Sequence, residues 1–91
     1  MVSKELTVNY EKGIHARPAA VIVETTKRFT SEIFLVKDKD RANAKSIMSI
    51  LYLAIEWGCK IILEADGPDE KKALETVSRL FENNFQNEIP K

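Results

Sequence analysis

The segment of residues 12–20, K-G-I-H-A-R-P-A-A, holds the only histidine of the chain, His15, two residues before Arg17. An imidazole nitrogen can form a covalent intermediate with a transferred group, and a guanidinium fork matches the oxygens of a phosphate. Gly13 lets the backbone turn tightly just ahead of the histidine. These residue types are the ingredients of a histidine that accepts and releases a phosphoryl group. An exposed loop histidine beside a surface arginine is the alternative that these residues leave open.

A helix is expected to begin at this histidine and to run over residues 16–28. Pro18 falls in its first turn, where a missing N–H is tolerated. The first N–H groups of a helix lack partners within the helix, and its dipole is positive at that end, so His15 lies beside an anion site. The same field favours the neutral, nucleophilic form of the ring. The apolar positions that indicate this helix are Ala16, Ala19, Ala20 and Val23.

A second region of interest follows Ser46, which is predicted to cap a helix that Gly58 ends. Residues 47–55 read I-M-S-I-L-Y-L-A-I, which is too apolar for a helix that buries a single stripe. The predicted buried stripe is Ile50, Leu53, Ala54 and Trp57, and the residues predicted to face outward are Ile47, Met48, Leu51 and Tyr52. Exposed apolar groups mark a binding surface, although packing beneath a loop is an equal alternative.

The other elements follow from the hydrophobic pattern. Alternation predicts a strand over residues 2–9, and residues 60–65 form another with one apolar face. The apolar run 33–36 predicts a short buried strand, and residues 41–44 are the candidate second strand of a hairpin. D-G-P-D-E at 66–70 predicts the start of a last helix. That helix carries an apolar stripe to the C-terminus: Ala73, Leu74, Val77, Leu80, Phe81, Asn84 and Phe85. The order β-α-β-β-α-β-α predicts an α+β fold, with a four-stranded, mostly antiparallel sheet and three helices on one face. The length suits a single domain over residues 1–91.

Composition excludes several classes of function. The chain has 14 Lys and Arg against 14 Asp and Glu, so it lacks the basic excess of a general nucleic-acid binder. The longest apolar run, residues 50–55, is far shorter than the about 20 residues of a membrane span. The N-terminus lacks the apolar core of a signal peptide. We expect a cytoplasmic protein that does not insert into membranes.

Three motifs together resemble a known family. G-I-H-A-R-P-A-A at 13–20, N-A-K-S-I-M at 43–48 and D-G-P-D-E at 66–70 are similar to HPr, the histidine-containing phosphocarrier of the bacterial phosphoenolpyruvate-dependent sugar phosphotransferase system. The resemblance implies an open-faced β-sandwich and a carrier rather than a free-standing enzyme. It implies that His15 carries the phosphoryl group on Nδ1. It also implies that Arg17 and backbone N–H groups at the start of the first helix, including Ala16, contact that group.

The resemblance also implies partners. Enzyme I would donate the phosphoryl group and IIA domains of sugar permeases would accept it. Ser46 would be the regulatory serine of an HPr kinase/phosphorylase, and its phosphorylated form would bind a catabolite-control repressor. No metal or organic cofactor is implied. The implied docking residues are Ile47, Met48 and Leu51, with Lys45 and Tyr52 beside them.

Two alternatives stand beside the carrier. One is a regulatory HPr-like paralogue that acts by protein contact and Ser46 phosphorylation, or a carrier in a specialised, non-sugar phosphotransfer chain. The other is a small interaction domain without phosphate chemistry. A purely regulatory paralogue group lacks the histidine, which this chain has. The chain departs from the family pattern at Ala54, commonly glycine, at Tyr52 and Trp57 beside it, and at Lys12, which adds positive charge near His15.

Overall fold

A computed structural model describes residues 1–85, in which one four-stranded sheet is covered on one face by three helices. The predicted fold class and the predicted order of elements are confirmed. Within these residues, no helix has the length and hydrophobicity needed to cross a membrane. The elements are β1 (Val2–Thr7), α1 (Ala16–Thr26), β2 (Glu32–Lys37), β3 (Asp40–Asn43), α2 (Ile47–Tyr52), β4 (Lys60–Asp66) and α3 (Glu70–Glu82).

The sheet has the strand order β1-β4-β2-β3, and its neighbouring strands are all antiparallel. Leu63 of β4 lies opposite Leu35 of β2, so alternate side chains from the two strands share one face. That face packs against the helices, while Phe34 and Ile62 lie on the open face. The sheet residues buried beneath the helices are Leu6, Ile33, Leu35, Ala42, Ile61, Leu63 and Ala65.

Helix α1 buries a different stripe from the predicted one, and it ends at Thr26 rather than at residue 28. Ala16 is exposed, and Ala20 and Val23 are only half-buried. The hydrophobic pattern missed two buried threonines whose hydroxyl groups are satisfied: Thr25 donates to the Val21 carbonyl at 2.9 Å and Thr26 to the Ala44 carbonyl at 2.7 Å. The observed buried residues are Pro18, Ala19, Ile22, Thr25 and Thr26.

Helix α2 ends at Tyr52, well before Gly58, and this corrects half of its predicted buried stripe. Ile50 and Leu53 are buried as predicted, whereas Ala54 is exposed and Trp57 is 67% exposed. The helix ends because Ala54 adopts the left-handed conformation with φ 51°. The Lys37 ammonium binds the carbonyl groups of Leu53 and Ala54 at 3.2 and 2.8 Å, so the freed acceptors have a partner.

Helix α3 follows its predicted stripe, with Ala73, Val77, Leu80 and Phe81 buried. Asn84 and Phe85 then take left-handed φ angles of 55° and 60°, and the Phe85 N–H donates to the Leu80 carbonyl at 2.8 Å. This reversal ends the helix and turns the Phe85 side chain into the core, where it is 1% exposed. The prediction that Asn84 and Phe85 belong to the helix is therefore wrong, because α3 ends at Glu82. The predicted continuation past Phe85 lies outside the residues that the structure describes.

Asp69 precedes α3 but does not cap it with its side chain. Its carboxylate instead accepts hydrogen bonds from the backbone N–H of Thr30 at 3.0 Å, from the N–H of Ser31 at 2.9 Å and from the Ser31 hydroxyl. The Ser31 hydroxyl and the Thr30 N–H lower the pKa of Asp69 to about 2. The carboxylate therefore joins the start of β2 to the start of α3.

We predict that Ala54→Gly stabilises the protein. A left-handed alanine costs about 1–2 kcal/mol, while glycine adds entropy to the unfolded chain, so the net gain should be roughly 0.5–1 kcal/mol. Denaturant unfolding of both proteins measures it. Ala20→Gly, inside α1, is the matched control and should destabilise by about 1 kcal/mol. A loss of stability in Ala54→Gly would contradict the left-handed assignment.

We predict that, in the acidic range, the free energy of unfolding depends less steeply on pH in Asp69→Asn than in the wild-type protein. Because the folded-state pKa lies below the ordinary value of 3.8, the folded form binds this proton more weakly than the unfolded form. The carboxylate therefore stabilises the fold above the ordinary pKa, and this contribution disappears as the pH falls toward about 2. Melting temperatures measured from about pH 5 to pH 2 should converge for the two proteins. A constant difference between them would count against the Asp69 network.

Candidate functional site

The segment before His15 is held by direct contact between two backbone stretches. The Ile14 N–H donates to the Ile55 carbonyl at 2.9 Å. Gly13 has φ +68°, and a Cβ there would lie 2.7 Å from the Ile55 oxygen. Only glycine satisfies both the backbone angle and the space, which explains the glycine of the motif.

His15 occupies the N-cap position of α1, as the sequence predicted for a residue at the helix start. Its backbone is extended, with φ −101° and ψ −164°, and its side chain makes no capping hydrogen bond. Its carbonyl accepts the Ala19 N–H at 3.0 Å, so the helix begins directly after the imidazole. The ring is therefore free of a structural capping role and stands at the positive end of the helix dipole.

The first turn of α1 supplies donors that an anion can use. The N–H groups of Ala16 and Arg17 are the first two of the helix and precede the position where an intrahelical bond can form. Both residues are exposed, whereas Pro18, which has no N–H to leave unpaired, is buried. Within residues 1–85, Arg17 forms no ion pair. A phosphate at this position could meet two amides and a guanidinium.

An aromatic ring that the sequence did not connect with His15 lies beside the imidazole. The Tyr10 ring centroid lies 6.0 Å from that of His15 at an angle of 35°, and Phe85 packs edge-on against Tyr10 at 5.7 Å. His15 Nε2 is buried and has no hydrogen-bond partner within residues 1–85. His15 as a whole is only half-buried, and a buried Nε2 leaves Nδ1 as the ring nitrogen that could meet a reactant. The sequence signal that could have indicated an inward-facing Tyr10 is the alternation of Leu6, Val8 and Tyr10.

Ser46 caps α2 as predicted, because its hydroxyl oxygen accepts the Ser49 N–H at 3.3 Å. Met48 is 75% and Tyr52 86% exposed, and Ile47 is also exposed. Leu51, which was predicted to face outward, is half-buried against the core. These four side chains form what we call the α2 patch: Ile47, Met48, Leu51 and Tyr52.

Two further findings define the surroundings of the site. Helix α1 packs against α2, so the helix that begins at His15 is the direct neighbour of the helix that carries the α2 patch. The Lys45 ammonium binds the Phe29 carbonyl at 2.7 Å, which holds this predicted partner-binding residue against the protein. Across residues 1–85, no three His, Cys, Asp or Glu side chains cluster closely enough to hold a metal ion.

Comparison with known proteins identifies one family. Residues 2–83 match the family model described as PTS HPr component phosphorylation site. The phosphocarrier protein HPr of Treponema pallidum is 48% identical over 88 residues, which cover 97% of this chain and all of that protein. The HPr-like protein Crh of Bacillus subtilis is 45% identical over 78 residues, which cover 86% of this chain and 92% of the relative.

The fold comparison agrees. The crystal structure of HPr-C-His from Thermoanaerobacter tengcongensis superimposes with a TM-score of 0.91 at 38% identity, covering 98% of this chain and all of the other. An HPr from Bacillus anthracis superimposes with a TM-score of 0.84 at 41% identity, covering 88% of this chain and 95% of the other.

Proposed function

The chain belongs to the HPr family of phosphocarrier proteins, and from this premise we propose that it accepts a phosphoryl group on His15 and passes it to a second protein. The observation that carries the proposal is the position of His15 at the N-cap of α1, where its side chain makes no capping bond and its Nε2 is buried. A nucleophile and an anion site thus share one helix terminus.

The transfer itself needs one lone pair. In the neutral ring with its hydrogen on Nε2, Nδ1 carries a free electron pair that attacks phosphorus. A phosphorus–nitrogen bond forms as the bond between phosphorus and the donor breaks, and the electron pair of the broken bond stays with the donor. Transfer to the acceptor reverses these changes at His15, so the carrier ends the cycle unchanged.

The start of α1 stabilises the charge that arrives with the phosphoryl group. The N–H groups of Ala16 and Arg17 and the positive end of the helix dipole favour the phosphate oxygens. Arg17 is exposed, so its guanidinium can reach those oxygens through a charge-assisted hydrogen bond. Lys12 is also exposed and adds positive charge to the same loop.

The partners proposed for these two steps are enzyme I as donor and the IIA domains of sugar permeases as acceptors, in the cytoplasm. The α2 patch supports this proposal because it offers exposed apolar groups on the helix next to α1. Met48 is flexible and polarizable, which suits a surface that must meet several partners in turn.

Regulation through Ser46 is the second function that we propose. Its hydroxyl caps α2 immediately before Ile47 and Met48, so a phosphate there would alter the charge at the edge of the patch. HPr kinase/phosphorylase is the proposed modifying enzyme and a catabolite-control repressor the proposed reader of phosphoserine. The similarity to Crh proteins supports this role beside the carrier role, while His15 favours the carrier over a purely regulatory paralogue.

We predict that enzyme I and phosphoenolpyruvate add one acid-labile, base-stable phosphate to this protein. His15→Ala should abolish both the labelling and the transfer to a IIA domain, because it removes the nucleophile. Phosphate release at low pH and mass spectrometry measure the modification. Arg17→Lys is the companion variant, and it should slow transfer while labelling still occurs, because lysine lacks the guanidinium fork. Full labelling of His15→Ala would refute the proposed role.

We predict that Ser46→Asp slows phosphotransfer from enzyme I and leaves the melting temperature nearly unchanged. Aspartate can still cap α2. A partner that docks against the basic residues Lys12 and Arg17 is expected to present acidic groups, and the negative charge of the aspartate repels them. Stopped-flow transfer rates and thermal unfolding measure the two effects. Ser46→Ala is the control, which should lose about 1 kcal/mol of stability and keep its transfer rate. Equal rates for wild type, Ser46→Asp and the phosphoserine form would leave Ser46 as a cap alone.

A further inference from the structure

A chain of aromatic contacts runs from the core to the candidate nucleophile. Phe81 packs against Phe85 with ring centroids 5.1 Å apart, Phe85 packs against Tyr10 at 5.7 Å, and Tyr10 lies 6.0 Å from His15. All three separations are within the range of favourable aromatic pairs. The series therefore links α3 to the loop that carries the imidazole.

We propose that Tyr10 is a positioning residue for phosphoryl transfer, one that holds the His15 ring with Nε2 inward and Nδ1 outward. The inference rests on the proposed function of His15 as phosphoryl acceptor. It adds that the choice of nitrogen depends on a side chain outside the G-I-H-A-R-P-A-A motif.

The reason lies in the torsional freedom of histidine. Its terminal torsion is broad and roughly two-fold, so rotation of the ring exchanges the places of the two nitrogens at little intrinsic cost. The side chain makes no capping hydrogen bond, and Nε2 has no hydrogen-bond partner within the first 85 residues. Packing must therefore supply the preference, and the Tyr10 ring, whose centroid lies 6.0 Å from that of the imidazole, is placed to do so.

Tyr10 can serve this purpose because it is itself supported. Phe85 is almost fully buried, and its ring meets Tyr10 edge-on at 79°. The left-handed Asn84 and Phe85 and the hydrogen bond from the Phe85 N–H to the Leu80 carbonyl fix the end of α3 at this point. The ring of Tyr10 thus rests on a defined part of the core rather than on a mobile loop.

The test uses a small phosphoryl donor, so that no protein partner is involved. Inorganic phosphoramidate transfers its phosphoryl group to an imidazole nitrogen: the phosphorus–nitrogen bond of the reagent breaks, a new one forms to the ring, and ammonia leaves. Phosphorus and nitrogen NMR then identify whether Nδ1 or Nε2 carries the group. The variants are Tyr10→Ala, Tyr10→Leu, which keeps bulk without the ring, and Tyr10→Phe, which keeps the ring.

The matched control is Phe34→Ala, which removes a half-buried aromatic ring from the open face of the sheet. We expect only the Nδ1 adduct in wild type, Tyr10→Phe and the control, and a mixture of both adducts in Tyr10→Ala and Tyr10→Leu. Transfer from enzyme I should fall about tenfold or more in the two variants that lack the ring, since misplacement of a reacting atom is costly. Thermal unfolding confirms that each variant is folded at the assay temperature, and if Tyr10→Ala is not, Tyr10→Leu decides alone.

Three results would overturn the proposal: an Nδ1 adduct alone in the ringless variants, a mixture already in wild type, or the same mixture in Phe34→Ala. Failure of the carrier function gives a different result. In that case enzyme I does not label the wild-type protein, while the nitrogen selectivity toward phosphoramidate still depends on Tyr10.

Discussion

The close approach of the Gly13–Ile14 backbone to Ile55 is the contact on which the candidate site depends. It brings the loop after β1 against the loop after α2, and the same pair of loops is joined again where Val8 and Cys59 share a hydrogen bond of 2.8 Å. These hydrogen bonds hold the backbone in place immediately before the first residue of α1. The position of His15 at the helix terminus is therefore a consequence of backbone geometry. The imidazole itself makes no capping hydrogen bond.

Polar contacts between distant segments complete the frame, and these are the features that a hydrophobic pattern cannot reveal. The carboxylate of Asp69 ties the start of α3 to Ser31, and the ammonium of Lys37 holds the carbonyl groups at the end of α2. In sequence, Asp69 resembles an ordinary acidic residue at a helix start and Lys37 a solvated lysine of a hairpin. Their actual roles depend on partners that only the folded chain brings near.

Elements defined by an apolar pattern were predictable from the sequence, whereas features that depend on polar contacts between distant segments were not. The apolar residues Ile61, Leu63 and Ala65 on one face made β4 predictable although the exposed Ile62 breaks the alternation. The stripe of α3 was clear because its other face is strongly polar. The stripe of α1 was misplaced because Thr25 and Thr26 are buried through their hydroxyl bonds, and Trp57 was misassigned because α2 ends at Tyr52. In the candidate site, the motif predicted roles for His15 and Arg17, and these roles stay predictions. The support from Tyr10 and Phe85 stayed hidden, since it joins the first strand's loop to the end of the last helix.

The surroundings of His15 and the α2 patch differ in how firmly their side chains are packed, and the proposed function explains the difference. A nucleophile gains from being held, because a reacting atom must meet phosphorus in one geometry, and His15 is backed by a clamped backbone and an aromatic series. A surface that exchanges partners gains from adaptability, and the α2 patch presents Met48 and Tyr52 almost fully to solvent. The short helix α2 packs directly against α1 and therefore fixes the position of that surface relative to His15. On the proposed function, changes in the α2 patch are therefore expected to alter which proteins bind while the proposed chemistry at His15 stays the same.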